Sequence, residues 1–186
     1  LAAAGIERAV VNVHHFADQV EDHLARRTDL EVLISDERAA LLDSGGGIQH
    51  ARPLLGAAPI MLANIDSLWL EGSPPALETL KAAWDPARMD ALLLLVRHPA
   101  AHNYHGTGDF HLDPLGRVSR RRPGRVAPFI YTGIQLVSHR LLIRTLLCWM
   151  LGAPLGAIGK IEQDACGINL IDVAADGTPL VRLINF

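Results

Sequence analysis

The sequence predicts an α/β fold, a three-layer α/β/α sandwich built on a mostly parallel sheet with a mixed edge. Three observations carry this. Short β-branched and apolar runs alternate with segments of helical periodicity. The runs are apolar at almost every residue, as strands covered on both faces are. The 186 residues are 49% hydrophobic and 20% charged, an ordinary globular balance for one domain or slightly more.

The chain opens with LAAAGIERAVVNV. Leu1 to Ala4 read as the last turn of a helix with Gly5 as its left-handed cap, so the chain is expected to be a fragment with further sequence upstream. Arg8 to His14 (RAVVNVH) is a β-branched strand, and Phe16, Val20 and Leu24 then form the apolar stripe of a helix. Glu31 to Ser35 (EVLIS) is a second strand. LLDSGGGIQHARPLLG follows, a glycine loop leading into an amphipathic stretch through Ile48, Ala51 and Leu55. Pro59 to Asn64 (PIMLAN) is a third strand. Pro74 and Pro75 suit the first turn of a helix whose buried stripe is Leu77, Leu80 and Trp84. Asp85-Pro86 caps one more helical turn, and Ala91 to Val96 (ALLLLV) is a fourth strand.

From Tyr104 the pattern changes. GDFHLD, a turn at Asp113-Pro114-Leu115-Gly116 and RVSRR predict a hairpin, and Ala127 to Val137 (APFIYTGIQLV) a long strand. RLLIRTLLCWMLG is apolar nearly all round, a buried helix stopped by Gly152; GINLIDVA, ADGT and PLVRLINF then form a hairpin with an Asp-Gly turn.

A formal net charge of -3 is too small to point to nucleic acid or an anionic membrane. Cys148 and Cys166 have no metal-ligand spacing and read as reduced residues of a cytoplasmic protein. The apolar run from Leu141 to Leu151 falls far short of the roughly 20 residues of a membrane span, and no signal peptide is expected, because no basic start precedes an apolar stretch.

Ligands of open α/β sheets bind beyond the carboxyl ends of the strands. Two features fall there, on what should be one sheet rim. Backbone amides of Ser44-Gly45-Gly46-Gly47, close to a helix N-terminus, can face a base or a phosphate with no side chain in the way; a tight connection is the commoner reason for three glycines. Asp66, ending PIMLANID with Asn64 two residues earlier, is placed to hold Mg²⁺, or equally to cap a turn.

These motifs, in this order, resemble the bacterial sugar-1-phosphate nucleotidyltransferases of the N-acetylmuramate 1-phosphate uridylyltransferase or mannose-1-phosphate guanylyltransferase-like type. The resemblance runs from LLDSGGGIQHARPLLG and APIMLANIDSLWL through WDPARMDALLLLV, YHGTGDFHLD and APFIYTGIQLVS, covering residues 1 to about 140. It implies a Rossmann-like (GT-A-like) sheet and Mg²⁺-dependent transfer from a nucleoside triphosphate, UTP or GTP, to a sugar 1-phosphate. It further implies that Gly45, Gly46 and Gly47 hold the nucleotide base, that Asp66 holds the catalytic Mg²⁺ and that Asn64 contacts substrate. Asp109 then matches a sugar-phosphate contact and Gly133 a close backbone approach to the sugar. Ile65 replaces the family's middle glycine. The family's Gly-x-Gly-Thr-Arg loop, its Pro-Lys-Pro lysine and its second metal-holding Asp have no counterpart in this sequence, so the triphosphate is expected to be held weakly and catalysis to be impaired.

The tail differs. VSHRLLIRTLLCWMLGAPL, IEQDACGINLIDV and PLVRLIN resemble the C-terminal part of the histidine phosphatases, with His139 matching the second active-site histidine. The expected organisation is therefore a partial nucleotidyltransferase domain over 1–140 and a histidine-phosphatase-like segment over 141–186, two unrelated pieces meeting at LVSHR. Two other functions stay open. In phosphomonoester hydrolysis, Leu95-Val96-Arg97-His98 would imitate an Arg-His-Gly motif, although Pro99 stands in place of the glycine. The other is a non-catalytic chimeric protein.

The remaining features have bland explanations. His102, His105 and His111 suit a solvent-facing loop better than a metal site. Arg117, Arg120, Arg121, Arg122 and Arg125 make a basic hairpin without interleaved aromatics, a solvated turn or, less simply, a phosphate-facing surface. Trp69, Trp84 and Trp149 read as core or near-core packing, and Ser138-His139 as structural.

Overall fold

A computed structural model describes residues 1–153, 155–161, 170–173 and 178–183. The chain divides into two compact units, Leu1–Ala58 with His139–Phe186, and Pro59–Ser138. One boundary lies beside the expected one at residue 140; the other falls inside the segment expected to be continuous.

In the first unit, Ala2–Ala4 make a single 3-10 turn closed by Gly5 in the left-handed conformation, φ 71°. Strand β1 (Arg8–Val13), helix α1 (Ala17–Leu24) and β2 (Glu31–Asp36) follow. β1 and β2 pair in parallel, from Arg8 opposite Glu31 to Val13 opposite Asp36, which requires the crossover that α1 supplies. Phe16 does not extend the α1 stripe: it is the residue before the helix, at φ 53°, and 62% exposed. Arg38 ties the end of β2 to α1 through Asp36, Asp18 and Glu21. Helix α2 (Asp43–Leu55) packs on β1 and β2, with Ala51 buried. Helix α3 is Ala76–Ala83, in the second unit, and α4 (His139–Met150) returns to the first. Leu147 and Cys148 are fully buried, the Cys148 thiol free. Gly152, φ +61°, ends α4 as predicted, the Ala153 N–H closing on the Cys148 carbonyl at 2.8 Å.

The second unit holds β3 (Ile60–Ala63), β4 (Ala91–Arg97), β5 (Phe110–Leu112), β6 (Val118–Arg120) and β7 (Phe129–Val137) in one sheet. β7 is its organising strand. β3 pairs with its C-terminal half, β5 meets it at Phe129, and β4 runs along its other edge, all antiparallel. The expected mostly parallel sheet is therefore corrected: among the described strands only β1 and β2 are parallel. Apolar runs report that a strand is covered on both faces, and coverage does not fix direction. Leu77 and Leu80 of α3 are buried, as are Ile130, Ile134, Leu136 and Val137 of β7. Asp113 builds the predicted turn, its Oδ1 accepting the N–H groups of Leu115 and Arg117 at 2.9 and 2.8 Å.

Of the tryptophans, Trp69 departs from its reading. Trp69 is 40% exposed and its Nε1–H donates to Glu71. Trp84 is half-buried, and the side chain of Trp149 is outside what is described. In the tail, β8 (Leu170–Val173) and β9 (Pro179–Leu183) form the predicted hairpin, and α4 packs against β9. Its Asp-Gly turn and Cys166 lie outside the described residues. Among the described residues no helix is long and apolar enough to cross a membrane.

Candidate functional site

The three glycines are not a loop. Gly45, Gly46 and Gly47 lie inside the opening turns of α2, and none has a positive φ. Close approach explains Gly46 and Gly47 instead. A Cβ on Gly47 would stand 2.8 Å from Glu37 Oε1 and 3.1 Å from Asn12 Nδ2, and one on Gly46 would stand 3.0 Å from Leu42 Cβ. Gly45 is exposed with nothing within 4 Å of its Cβ position. Gly47 thus lets the helix start press against Asn12 and Glu37 at the carboxyl ends of β1 and β2. Asn12, at the end of β1, donates to Glu37 and to the Gly47 carbonyl at 3.1 Å, while His14 Nδ1 bonds the Glu37 carbonyl oxygen at 2.7 Å. Glu37 is 6% exposed. Leu42, the residue before α2, provides no side-chain cap, and backbone amides at a helix start can bind an anion or a polar ring edge. Asn12 and Glu37 escaped the sequence reading; the one signal was an asparagine inside an otherwise apolar strand.

In the second unit the expected residues Asn64, Asp109 and Gly133 come together on β7. The β4–β7 register shifts between Leu93 and Leu95, where β7 spends extra residues. That bulge is held by the Thr132 hydroxyl, which donates to the Leu94 carbonyl at 2.9 Å, and by Gly133 at φ +82°. The Gly133 carbonyl accepts the Asn64 N–H at 3.0 Å, and a Cβ at Gly133 would fall 2.8 Å from the Asn64 Cβ. Only glycine suits both the dihedral and the approach. On the same edge of β7 the Asp109 N–H donates to the Phe129 carbonyl, and Asp109 Oδ2 accepts the Tyr131 N–H at 2.9 Å. Burial pushes the Tyr131 phenol pKa up. Between the ends of β3 and β5, then, lies a notch floored by residues 131 to 133 and flanked by an amide and a carboxylate.

Gly108, beside Asp109, was also missed. At φ +77° its Cβ would sit 2.0 Å from the Ala127 carbonyl oxygen, and its own carbonyl accepts Arg121 Nε–H at 2.9 Å. Asp66 is exposed, three residues past β3, and makes no ion pair among the described residues. Asp66 and the glycines follow strands of different hydrogen-bonded sheets, β3 and β2 respectively, which corrects the expected single rim. No group of three or more His, Cys, Asp or Glu among the described residues could hold a metal. His98 Nε2 bonds the Gly106 carbonyl at 3.0 Å, so that nitrogen carries the proton, and Tyr104 stacks edge-on against the ring. His139 is half-buried at the start of α4.

The fold is similar to that of two solved structures. It superposes on UDP-glucose pyrophosphorylase with a TM-score of 0.54 at 10% identity, over 87% of this chain and 65% of that one. HddC from Yersinia pseudotuberculosis gives 0.55 at 18% identity, over 75% and 60%.

Sequence narrows the likeness. The chain is 46% identical over 145 residues to N-acetylmuramate alpha-1-phosphate uridylyltransferase of Caulobacter vibrioides, covering 76% of this chain and 60% of that protein. It is 34% identical over 120 residues to the enzyme of the same name from Neisseria meningitidis serogroup B, covering 63% and 50%. The chain therefore spans between a half and three fifths of the relatives it matches. Residues 131–185 match the histidine phosphatase superfamily (branch 1), so both expected resemblances are present in one chain.

Proposed function

We propose that the chain carries part of a site for nucleotidyl transfer from a nucleoside triphosphate, UTP before GTP, to a sugar 1-phosphate. The observation that carries the reading is the convergence of Asn64 and Asp109 on the Gly133 bulge of β7. A sugar ring can lie against that glycine, with hydroxyl donors to the free oxygen of Asp109 and either face of the Asn64 amide. UTP is favoured because both uridylyltransferase relatives share the sequence over most of this chain.

In the reaction, a phosphate oxygen of the sugar 1-phosphate attacks the α-phosphorus. The bond to the β-phosphate breaks, and pyrophosphate leaves with the electron pair. Such chemistry needs positioning more than a protein nucleophile. Mg²⁺ fits the residues present: Asp66 offers one open carboxylate, and this ion commonly takes one or two carboxylates plus phosphate oxygens. Bound there it would neutralise charge on the phosphates. A cytoplasmic site, where UTP is made and kept, suits the reading.

Hydrolysis of a phosphomonoester by His98 and His139 is favoured only by the match over 131–185, and His98 has one ring nitrogen committed to Gly106. Calorimetry with UTP and Mg²⁺ tests the first reading. Saturable binding, weakened at least tenfold by Asp66→Ala, is expected; no binding, or binding indifferent to Asp66, refutes it.

A further inference from the structure

We propose that the concavity beside the β5–β6 hairpin binds a phosphorylated small molecule, gripped by the guanidinium groups of Arg120, Arg122 and Arg125. The cavity measures about 600 Å³ and is lined by these three arginines with His111, Ser119 and Val126. Its size suits an organic phosphate or a diphosphate better than a single inorganic ion, since ligand pockets run roughly 300–1,000 Å³.

Two features separate it from an ordinary solvated turn. The first is the division of labour within the basic run. Arg121 is spent on the backbone, its Nε–H going to the Gly108 carbonyl at 2.9 Å and its Nη1–H to the Arg125 carbonyl at 3.1 Å. With the Arg125 N–H on the Arg122 carbonyl and Gly124 at φ +72°, this fixes the turn from which Arg122 and Arg125 project. The second is the missing counter-charge. The ion pairs of Arg8, Arg27 and Arg38 lie elsewhere, and no ion pair among the described residues uses the cavity arginines. The acids nearest in sequence are engaged with backbone, Asp113 by Leu115 and Arg117, Asp109 by Tyr131. Three permanent cations around one hollow repel one another, and an anion within it reverses the sign of that interaction. Guanidinium forks match phosphate oxygens two at a time, and the Ser119 hydroxyl adds a further donor. No Phe, Tyr or Trp lines the cavity, so a stacked nucleic-acid strand lacks a run of aromatic platforms. This proposal stands apart from the nucleotidyl-transfer reading, which uses none of these residues.

The test is titration of the full chain with inorganic pyrophosphate in the absence of divalent metal, read by calorimetry and by amide shifts in NMR. Saturable one-site binding that moves the Ser119 and Val126 amides is expected. Arg122→Gln/Arg125→Gln, at exposed positions, should weaken it at least tenfold with an unchanged circular dichroism spectrum, while Asp66→Ala leaves it intact. Arg122→Lys/Arg125→Lys, which keeps charge but not the fork, should fall between. Non-saturable uptake, binding that the glutamine pair leaves unchanged, or binding lost in Asp66→Ala instead overturns the proposal. The last would assign the anion to the transferase residues.

Discussion

Gly108→Ala against Gly116→Ala separates backbone strain from close approach. Both glycines have nearly the same φ, +77° and +78°, but a Cβ at Gly116 meets nothing within 4 Å, whereas at Gly108 it would sit 2.0 Å from the Ala127 carbonyl oxygen. Gly116→Ala therefore costs the left-handed conformation alone, about 1–2 kcal/mol. Gly108→Ala adds a contact that only backbone movement relieves. The segments around 107–109 and 127–129 are joined by Ala127 N–H to the Thr107 carbonyl at 2.7 Å and Asp109 N–H to the Phe129 carbonyl at 2.8 Å. Ala127 is fully buried, so parting the two strands leaves polar groups unpaired at about 1–3 kcal/mol each. Counting one unpaired group for each of the two bonds, the total is roughly 3–8 kcal/mol. At about 2–4 °C of Tm per kcal/mol for a chain of this size, Gly116→Ala should lower Tm by roughly 2–8 °C and Gly108→Ala by roughly 6–32 °C. Differential scanning calorimetry with urea titration reads both. Equal destabilisation of the two variants would show that the Ala127 contact does not require glycine, and would remove the reason given for how Asp109 is placed.

Two further outcomes follow from the same geometry. Gly45→Ala should stabilise α2 by about 0.5–1 kcal/mol, as alanine replaces glycine in an open helical position, while Gly47→Ala should destabilise because its Cβ would press Glu37 at 2.8 Å; urea midpoints of opposite sign check this, and gains at both positions would contradict the packing. The Glu71 carboxylate accepts the Ala76 N–H and then the Trp69 indole N–H, which holds its pKa below the ordinary 4.5. Its folded pKa being the lower, its support for the start of α3 is complete above about 4.5 and fades as pH falls through that lower value. The Trp69 Nε1–H resonance should titrate with a midpoint under 4.5 and lose that step in Glu71→Gln; a midpoint at or above it would refute the assignment.

Local chemistry made much of the fold legible. β-branched runs at Arg8–Val13 and Glu31–Asp36, Gly5 and Gly152 as helix ends, and the Asp113 turn all express preferences that neighbouring residues settle among themselves. What escaped depends on partners far along the chain. Nothing in ALLLLV or PIMLAN states that both strands will flank Phe129–Val137 in antiparallel order, because an apolar run specifies cover and not direction. The site divided the same way. Gly133 and Asp109 were visible through resemblance, yet the bulge that explains the glycine depends on Thr132 reaching Leu94, 38 positions away. Asn12 and Glu37 were hidden because their meeting, across 25 positions, is made by strand pairing.

The meeting point of the two resemblances also has a physical reading. Residues 131–137 fall within the histidine phosphatase match, yet β7 pairs with β3, β4 and β5 and belongs with them to the second unit. Ser138 belongs there too. It is 6% exposed, its N–H donates to the Asp90 carbonyl at 2.8 Å, and its hydroxyl donates to Asp90 Oδ1 at 3.2 Å. His139 opens α4 and belongs to the first unit. The Ser-His pair that either family could supply is thus divided by packing: the serine anchors the end of the β7 sheet, and only the histidine travels with the phosphatase-like tail. A Ser138→Ala variant should accordingly behave as a sheet variant, losing stability through Asp90, whereas His139→Ala acts on α4.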